Sequence, residues 1–146
     1  MLIMKKFVLF KWVFIISVIL TAVKCTKNQT DYGIPLVYVE RQLNVNNPSF
    51  FNLSVVGGWE YVVGGSRGIL VYRSGPSQFN AYDRHSTYEI DNNCRVEVDS
   101  TNIAVVDPCS GSRWSIIDGS ILEGPAVLPL KPYATRFDGT FLYISN

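Results

Sequence analysis

The segment Asp107-Pro108-Cys109-Ser110-Gly111-Ser112-Arg113-Trp114 is the most distinctive part of the 146-residue sequence. Its Pro, Ser and Gly residues are typical of a loop. The apolar run 103–106 before it and the run 115–117 after it each predict a short strand. A second polar loop, Ser86-Thr87-Tyr88, lies upstream and follows another predicted strand at 79–83. We therefore expect both loops to be carried by a small β domain.

The chain from Ile34 onward has the same β character throughout. Short runs of β-branched and aromatic residues alternate with Gly, Pro, Asn and Asp, and helical periodicity is almost lacking. Asp138-Gly139 predicts a two-residue hairpin turn, and Asp118-Gly119 marks another turn. The predicted strands are residues 36–45, 59–63, 69–72, 79–83, 95–98, 103–106, 115–117, 133–137 and 140–144. This pattern predicts an all-β sandwich or barrel.

Both polar loops resemble the cluster-binding loops of Rieske iron–sulfur domains. Pro108-Cys109, Gly111-Ser112 and Trp114 match a second loop that reads Cys-Pro-Cys-His-Gly-Ser-x-aromatic in that family. Residues 79–88 are similar to its strand and first loop, which ends on Cys-x-His. The resemblance covers residues 59–146 and is most specific at 104–130. It implies a small Rieske-like antiparallel β-sandwich or barrel with a cluster-binding-like subdomain of two loops. The proline-rich segment with Pro125, Pro129 and Pro132 is then expected to be an ordered loop that covers the site and not a central strand.

The family's cluster ligands are replaced in this sequence. Rieske domains hold a 2Fe-2S centre with two cysteines and two histidines. Those positions are occupied here by Ser86, Tyr88, Asp107 and Ser110. One carboxylate and three hydroxyls that are neutral at pH 7 do not replace thiolate and imidazole. We therefore expect no cofactor and no metal. These side chains are expected to hydrogen-bond one another and the loop backbone. The alternative occupant of the site is Ca²⁺, to which Glu89, Asp91 and Asp83 could add carboxylate oxygens.

Two cysteines, Cys94 and Cys109, are expected to form a disulfide. In Rieske proteins of respiratory complexes each loop carries an extra cysteine, and the pair joins the loops. Cys109 occupies the second of those positions, whereas Cys94 lies a few residues later than the first. Export of the chain would favour such a bridge as well. The alternative is a redox-active dithiol, which normally uses closely spaced Cys-x-x-Cys.

Residues 1–24 are predicted to be a signal peptide or membrane anchor helix. Lys5 and Lys6 precede the run 7–23, which is apolar except for Lys11 and a few hydroxyl residues, as in an export signal. Cys25 follows Lys24, at the position of the lipidated cysteine of bacterial lipoproteins, although Lys24 departs from the small residue that a lipobox has before its cysteine. An uncleaved anchor and a soluble secreted form are the alternatives. We expect residues 25–33 to be a disordered tether and 34–146 to be the Rieske-like domain, at the cell envelope and facing the periplasm or exterior.

The remaining sequence features favour a module that is not an enzyme. The net charge of +1 has no basic stripe, so nucleic acid is not expected as a partner. The spacing of His85 from Cys94, Cys109 and Asp107 does not match a zinc motif. We therefore expect His85 to be a partly buried or surface histidine. Residues 64–68 lack the Lys-Ser/Thr of a phosphate loop and predict a hairpin connection. We expect a binding or structural component of an envelope complex, with an unknown envelope protein as partner. An electron-transfer protein and an envelope thiol/disulfide protein are the alternatives.

Overall fold

Two antiparallel sheets make up the domain in the computed structural model, which describes residues 30–146. Residues 31–146 form one compact unit. The predicted signal or anchor, Cys25 and residues 26–29 of the predicted tether lie outside the described residues. No helix within residues 30–146 is long and apolar enough to cross a membrane.

The larger sheet has six strands in the order β1-β10-β9-β4-β3-β2. The smaller sheet has four strands in the order β5-β6-β7-β8. The strands are β1 (Glu40–Asn44), β2 (Trp59–Val62), β3 (Ile69–Gly75), β4 (Gln78–Asp83), β5 (Glu97–Val98), β6 (Ala104–Val106), β7 (Arg113–Ser115), β8 (Ile121–Glu123), β9 (Pro132–Phe137) and β10 (Phe141–Ser145). Two 3-10 helical segments, Pro48–Ser54 and Ile90–Asn92, complete the described elements.

The β3–β4 hairpin contributes to two separate hydrophobic cores. Successive side chains of a strand point to opposite faces of its sheet. Ile69 and Val71 of β3 therefore pack into the core of the larger sheet. Leu70, between them, packs instead with Trp114 of the smaller sheet. Trp114 is fully buried, and this second core fixes the smaller sheet, with both polar loops, against the hairpin.

Most predicted strands are present, but three parts of the prediction were wrong. The strand expected at 36–45 is shortened to Glu40–Asn44, because register with β10 begins only at Glu40. The strand expected at 115–117 lies at Arg113–Ser115, and Ile116 belongs to the following turn despite being buried. The strand Ile121–Glu123 was not predicted, and it pairs with β7 at the edge of the smaller sheet.

The two Asp-Gly turns are formed in different ways. Asp138 and Phe141 face each other across the final hairpin, so the two central residues are Gly139-Thr140 and not Asp138-Gly139. Asp138 Oδ1 accepts from the backbone N–H groups of Thr140 (3.0 Å) and Phe141 (2.7 Å). The turn at Asp118 is longer, because Ser115 N donates to Ser120 O at 2.8 Å. In both turns the aspartate side chain accepts hydrogen bonds from backbone N–H groups of the turn, which explains why Asp-Gly predicted a turn at these positions.

Candidate functional site

Backbone hydrogen bonds close each of the two polar loops at its base. After β4, His85 forms a bridge with Arg95, and Ser86 N donates to Cys94 O at 3.0 Å. The second loop closes on itself between β6 and β7, where Asp107 N donates to Ser112 O at 2.9 Å. The residues before and after each loop are thus held by strand pairing, which gives the loop side chains defined positions.

Asp107 is the centre of a buried set of hydrogen bonds. Its side chain is 1% exposed, and Ser86 is fully buried beside it. Asp107 Oδ2 accepts from Ser86 Oγ at 2.7 Å and from Ser110 Oγ at 2.8 Å. Asp107 Oδ1 accepts from the backbone N–H of Cys109 at 2.9 Å. One carboxylate therefore joins the first loop to the second.

Ser112 extends this set to the proline-rich segment and was missed by sequence reasoning. Its hydroxyl lies 2.9 Å from Ser110 Oγ and accepts from the backbone N–H of Ala126 at 3.0 Å. Thr87 Oγ1 and Trp114 Nε1 both donate to the carbonyl of Leu128, at 2.8 and 3.0 Å. The segment is ordered by these contacts and covers the loops, as expected, although Pro132 already belongs to β9. The Gly111-Ser112 pair, which matches the second loop of Rieske domains, was the sequence feature that could have identified Ser112.

Tyr88 takes part in this set only through its backbone. Its N–H donates to Ser86 Oγ at 3.2 Å. The phenol ring is partly buried against the core of the smaller sheet. The neighbouring Glu89 carboxylate raises the pKa of Tyr88 above its ordinary value. Of the four replaced ligand positions, Ser86, Asp107 and Ser110 thus bring their side chains together, and Tyr88 does not.

The predicted disulfide between Cys94 and Cys109 is present and joins the two loops. Their Cα atoms are 6.3 Å apart, within the usual range for a disulfide. The ligand atoms of Cys94, Cys109 and Asp107 lie within 4.8 Å of one another. Both sulfurs are consumed by the bridge, so neither offers the thiolate that a transition metal needs. A cavity of about 250 Å³ beside the bridge is lined by Tyr88, Glu89, Asn92, Cys94, Asp107, Cys109, Ser110 and Pro125.

His85 belongs to a different buried cluster and is more buried than predicted, at 1% exposed. His85 Nε2 lies 3.0 Å from the carbonyl of Ile90, which can only accept, so Nε2 carries a proton. In the neutral ring Nδ1 then accepts from Ser66 Oγ at 2.8 Å. Asp83, expected from the sequence only as a carboxylate near the loops, is fully buried in this cluster. It accepts from Tyr133 Oη at 2.6 Å and from the backbone N–H of Ser66 at 2.7 Å. This cluster fixes the β2–β3 loop onto β4.

The donor set at the loops does not fit a 2Fe-2S cluster. Such a cluster needs thiolate or imidazole donors. The side chains present are the carboxylate of Asp107 with the hydroxyls of Ser86 and Ser110, already hydrogen-bonded to one another. Within residues 30–146 the only sulfurs are those of the disulfide. No buried side-chain nitrogen or oxygen within residues 30–146 lacks a hydrogen-bond partner, so these groups are satisfied without a bound ligand.

Solved structures similar to this chain include a Rieske protein and a ferredoxin. The cyanobacterial plasma membrane Rieske protein PetC3 from Synechocystis PCC 6803 is 27% identical, with a TM-score of 0.55, over 71% of this chain and 99% of that protein. The ferredoxin of carbazole 1,9a-dioxygenase from Nocardioides aromaticivorans IC177 is 16% identical, with a TM-score of 0.50, over 75% and 98%. At that identity the second similarity supports the fold alone. No family model and no curated protein matches the chain. The chain thus carries a Rieske-like all-β domain, as the sequence predicted.

Proposed function

We propose that this chain is a non-enzymatic, cluster-free Rieske-like module that is anchored at the cell envelope and binds a partner there. The hydrogen-bonded set around Asp107 is the observation that carries this proposal. The Asp107 carboxylate accepts hydrogen bonds from Ser86, Ser110 and the backbone N–H of Cys109. It thereby joins the two loops that a bound cluster would join in a Rieske domain. The disulfide adds a covalent link between the same loops. These contacts support a site whose loops are held together without iron.

A binding role is supported by apolar side chains exposed on the smaller sheet and its connections. Large exposed apolar surfaces on a soluble domain commonly mark interaction sites. Every residue of β8 is exposed, which is unusual for a strand that contains Ile and Leu. The exposed apolar residues of this part of the chain are Ile103, Ile117, Ile121, Leu122 and Val127.

Site-specific cross-linking tests the binding role. A photo-reactive residue is placed at Leu122 or Val127 in full-length protein expressed in its own cells. The matched control carries it at Ser77, which is exposed in the β3–β4 turn of the larger sheet. We expect the same discrete adduct from the Leu122 and Val127 positions and none from Ser77. Equal adducts at all three positions, or none, would contradict a partner on the smaller sheet.

Envelope anchoring is supported by the apolar run 7–23 followed by Cys25. The similar PetC3 is described as a plasma membrane protein. Membrane fractionation of the full-length chain tests the anchor. We expect wild-type protein in the membrane fraction and release of the Cys25→Ser variant if Cys25 carries lipid. Retention of that variant would point to an uncleaved anchor, and a soluble wild type would contradict anchoring altogether.

A further inference from the structure

A groove of about 450 Å³ lies beside the β2–β3 loop. It shares no lining residue with the cavity at the disulfide. Its lining includes Arg67 of the loop, Arg84 after β4, and Arg95 next to the disulfide cysteine. Tyr61 and the exposed Val63 add apolar surface. The volume is typical of a small-molecule site.

Arg84 is held rigidly although it carries a charge. It is 8% exposed, and its guanidinium carbon lies 3.5 Å from the centre of the Tyr61 ring. Arg84 Nε donates to the carbonyl of Val96 at 3.0 Å, and its backbone N–H donates to Gly68 O at 2.9 Å. Burial lowers the pKa of Arg84, and the charge of Arg95 acts in the same direction. An arginine nevertheless stays protonated at neutral pH, so the groove contains a fixed positive charge.

The three arginines have no carboxylate partner among residues 30–146. The one ion pair within 4.0 Å in that part of the chain joins Arg113 to Asp99. Arg84 uses only Nε for a hydrogen bond, and neither the Arg67 nor the Arg95 side chain makes one within the described residues. Glu97 acts on Arg84 only as a more distant charge. Guanidinium N–H groups of all three side chains thus remain available to an anion.

The backbone N–H groups of Ser66 and Arg67 in the β2–β3 loop are not available for the same purpose. Ser66 N donates to Asp83 Oδ2 at 2.7 Å, and Arg67 N donates to Asp83 Oδ1 at 3.3 Å. These two amides therefore bind an internal carboxylate and not an external phosphate. The loop is a hairpin connection, as predicted, and anion recognition in this groove would depend on side chains.

We propose that this groove binds a phosphate monoester, with Arg67, Arg84 and Arg95 as its binding residues. The planar guanidinium fork matches phosphate oxygens in a bidentate manner. Three positive charges suit a phosphate dianion better than a singly charged carboxylate. Tyr61 and Val63 would contact the apolar part of the ester. The ester is either a soluble small molecule or the headgroup of phosphatidic acid, which present the same phosphate group.

Calorimetry on the purified full-length protein tests the proposal with glycerol 3-phosphate and glycerate, which differ in the anionic group. The test variant is Arg67→Gln/Arg95→Gln, which leaves the packed Arg84 in place. The matched control is Arg136→Gln, whose guanidinium lies 4.2 Å from the Tyr143 ring centre outside the groove. Each lost charge-assisted contact should cost roughly tenfold in affinity, so the double variant should bind about 100-fold more weakly. Arg136→Gln should bind like the wild type, and glycerate should bind far more weakly than the phosphate ester.

Sedimentation with phosphatidylcholine vesicles, with and without phosphatidic acid, distinguishes the two sources of phosphate. If the ligand is a lipid headgroup, more wild-type protein should sediment with vesicles that contain phosphatidic acid, and Arg67→Gln/Arg95→Gln should lose this increase. If calorimetry shows binding but phosphatidic acid does not increase sedimentation, the ligand is a soluble ester. The single variant Arg95→Gln, at an exposed position, replaces the double variant if the latter melts early. Absence of binding in both assays, equal affinity for glycerate, or equal loss in Arg136→Gln would overturn the proposal.

Discussion

Removal of the Cys94–Cys109 disulfide should destabilise the domain strongly. The bridge closes a loop with a sequence separation of 15 residues. For a loop of about this length, chain entropy gives roughly 3 kcal/mol of stabilisation at 25 °C. A domain of this size shifts its melting temperature by about 4 °C per kcal/mol. The Cys94→Ser/Cys109→Ser double variant should therefore melt about 12 °C lower than the wild type.

The assay is thermal unfolding followed by circular dichroism on the full-length protein. Cys25→Ser serves as the matched control, because it removes a cysteine that lies outside the closed loop. A thiol count under denaturing, non-reducing conditions should find no free thiol at Cys94 or Cys109. The control should melt with the wild type. Coincident melts of the wild type and the double variant, or two free thiols besides Cys25, would refute a structural role for the bridge.

Three further changes should affect stability in defined directions, each measured by urea unfolding. In Gly65→Ala the new Cβ would lie 2.6 Å from both Asp83 Oδ2 and Tyr133 Oη, so a loss of roughly 3 kcal/mol is expected, whereas Gly111→Ala, with open space around it, should lose about 1 kcal/mol. Asp107→Asn leaves one acceptor oxygen for three donors and should cost roughly 2 kcal/mol, against less than about 0.5 kcal/mol for the exposed Asp91→Asn. Burial raises the pKa of Tyr133, and Asp83 raises it further, so its proton is held in the folded state after the unfolded chain has released it near pH 10. The free energy of unfolding should then fall as the pH rises above about 10, and less steeply in Tyr133→Phe.

The two polar loops could be predicted from the sequence because unusual residue types occur there in a fixed order. Asp107, Cys109 and Ser110 lie within four consecutive positions of one short loop, so their proximity follows from the chain itself. The prediction that they contact Ser86 depended on the resemblance to Rieske domains. The position of the Tyr88 side chain could not be predicted in this way. Its ring packs against an apolar core, and the order of residues in the loop does not show whether a tyrosine faces the core or the other loop.

The Asp83 cluster and the arginine groove could not be predicted, since both depend on contacts between distant segments. Asp83 is an ordinary residue at the end of a strand until the β2–β3 loop folds back over it. Arg67, Arg84 and Arg95 are scattered along the sequence and meet only through that loop and the bridge between His85 and Arg95. The extended residues before Glu40 have a β-type composition but lack a partner strand within the described chain.

The iron and acid-labile sulfide content of full-length protein after anaerobic reconstitution tests most directly whether the domain works without a cluster. The positive control is the variant Ser86→Cys/Tyr88→His/Asp107→Cys/Ser110→His, which introduces the two cysteine and two histidine ligands of Rieske domains. Wild-type protein should be colourless and hold no stoichiometric iron, whereas the variant, where it folds, should gain the visible absorption of a cluster. About two irons per wild-type chain with matching sulfide would contradict the cluster-free assignment.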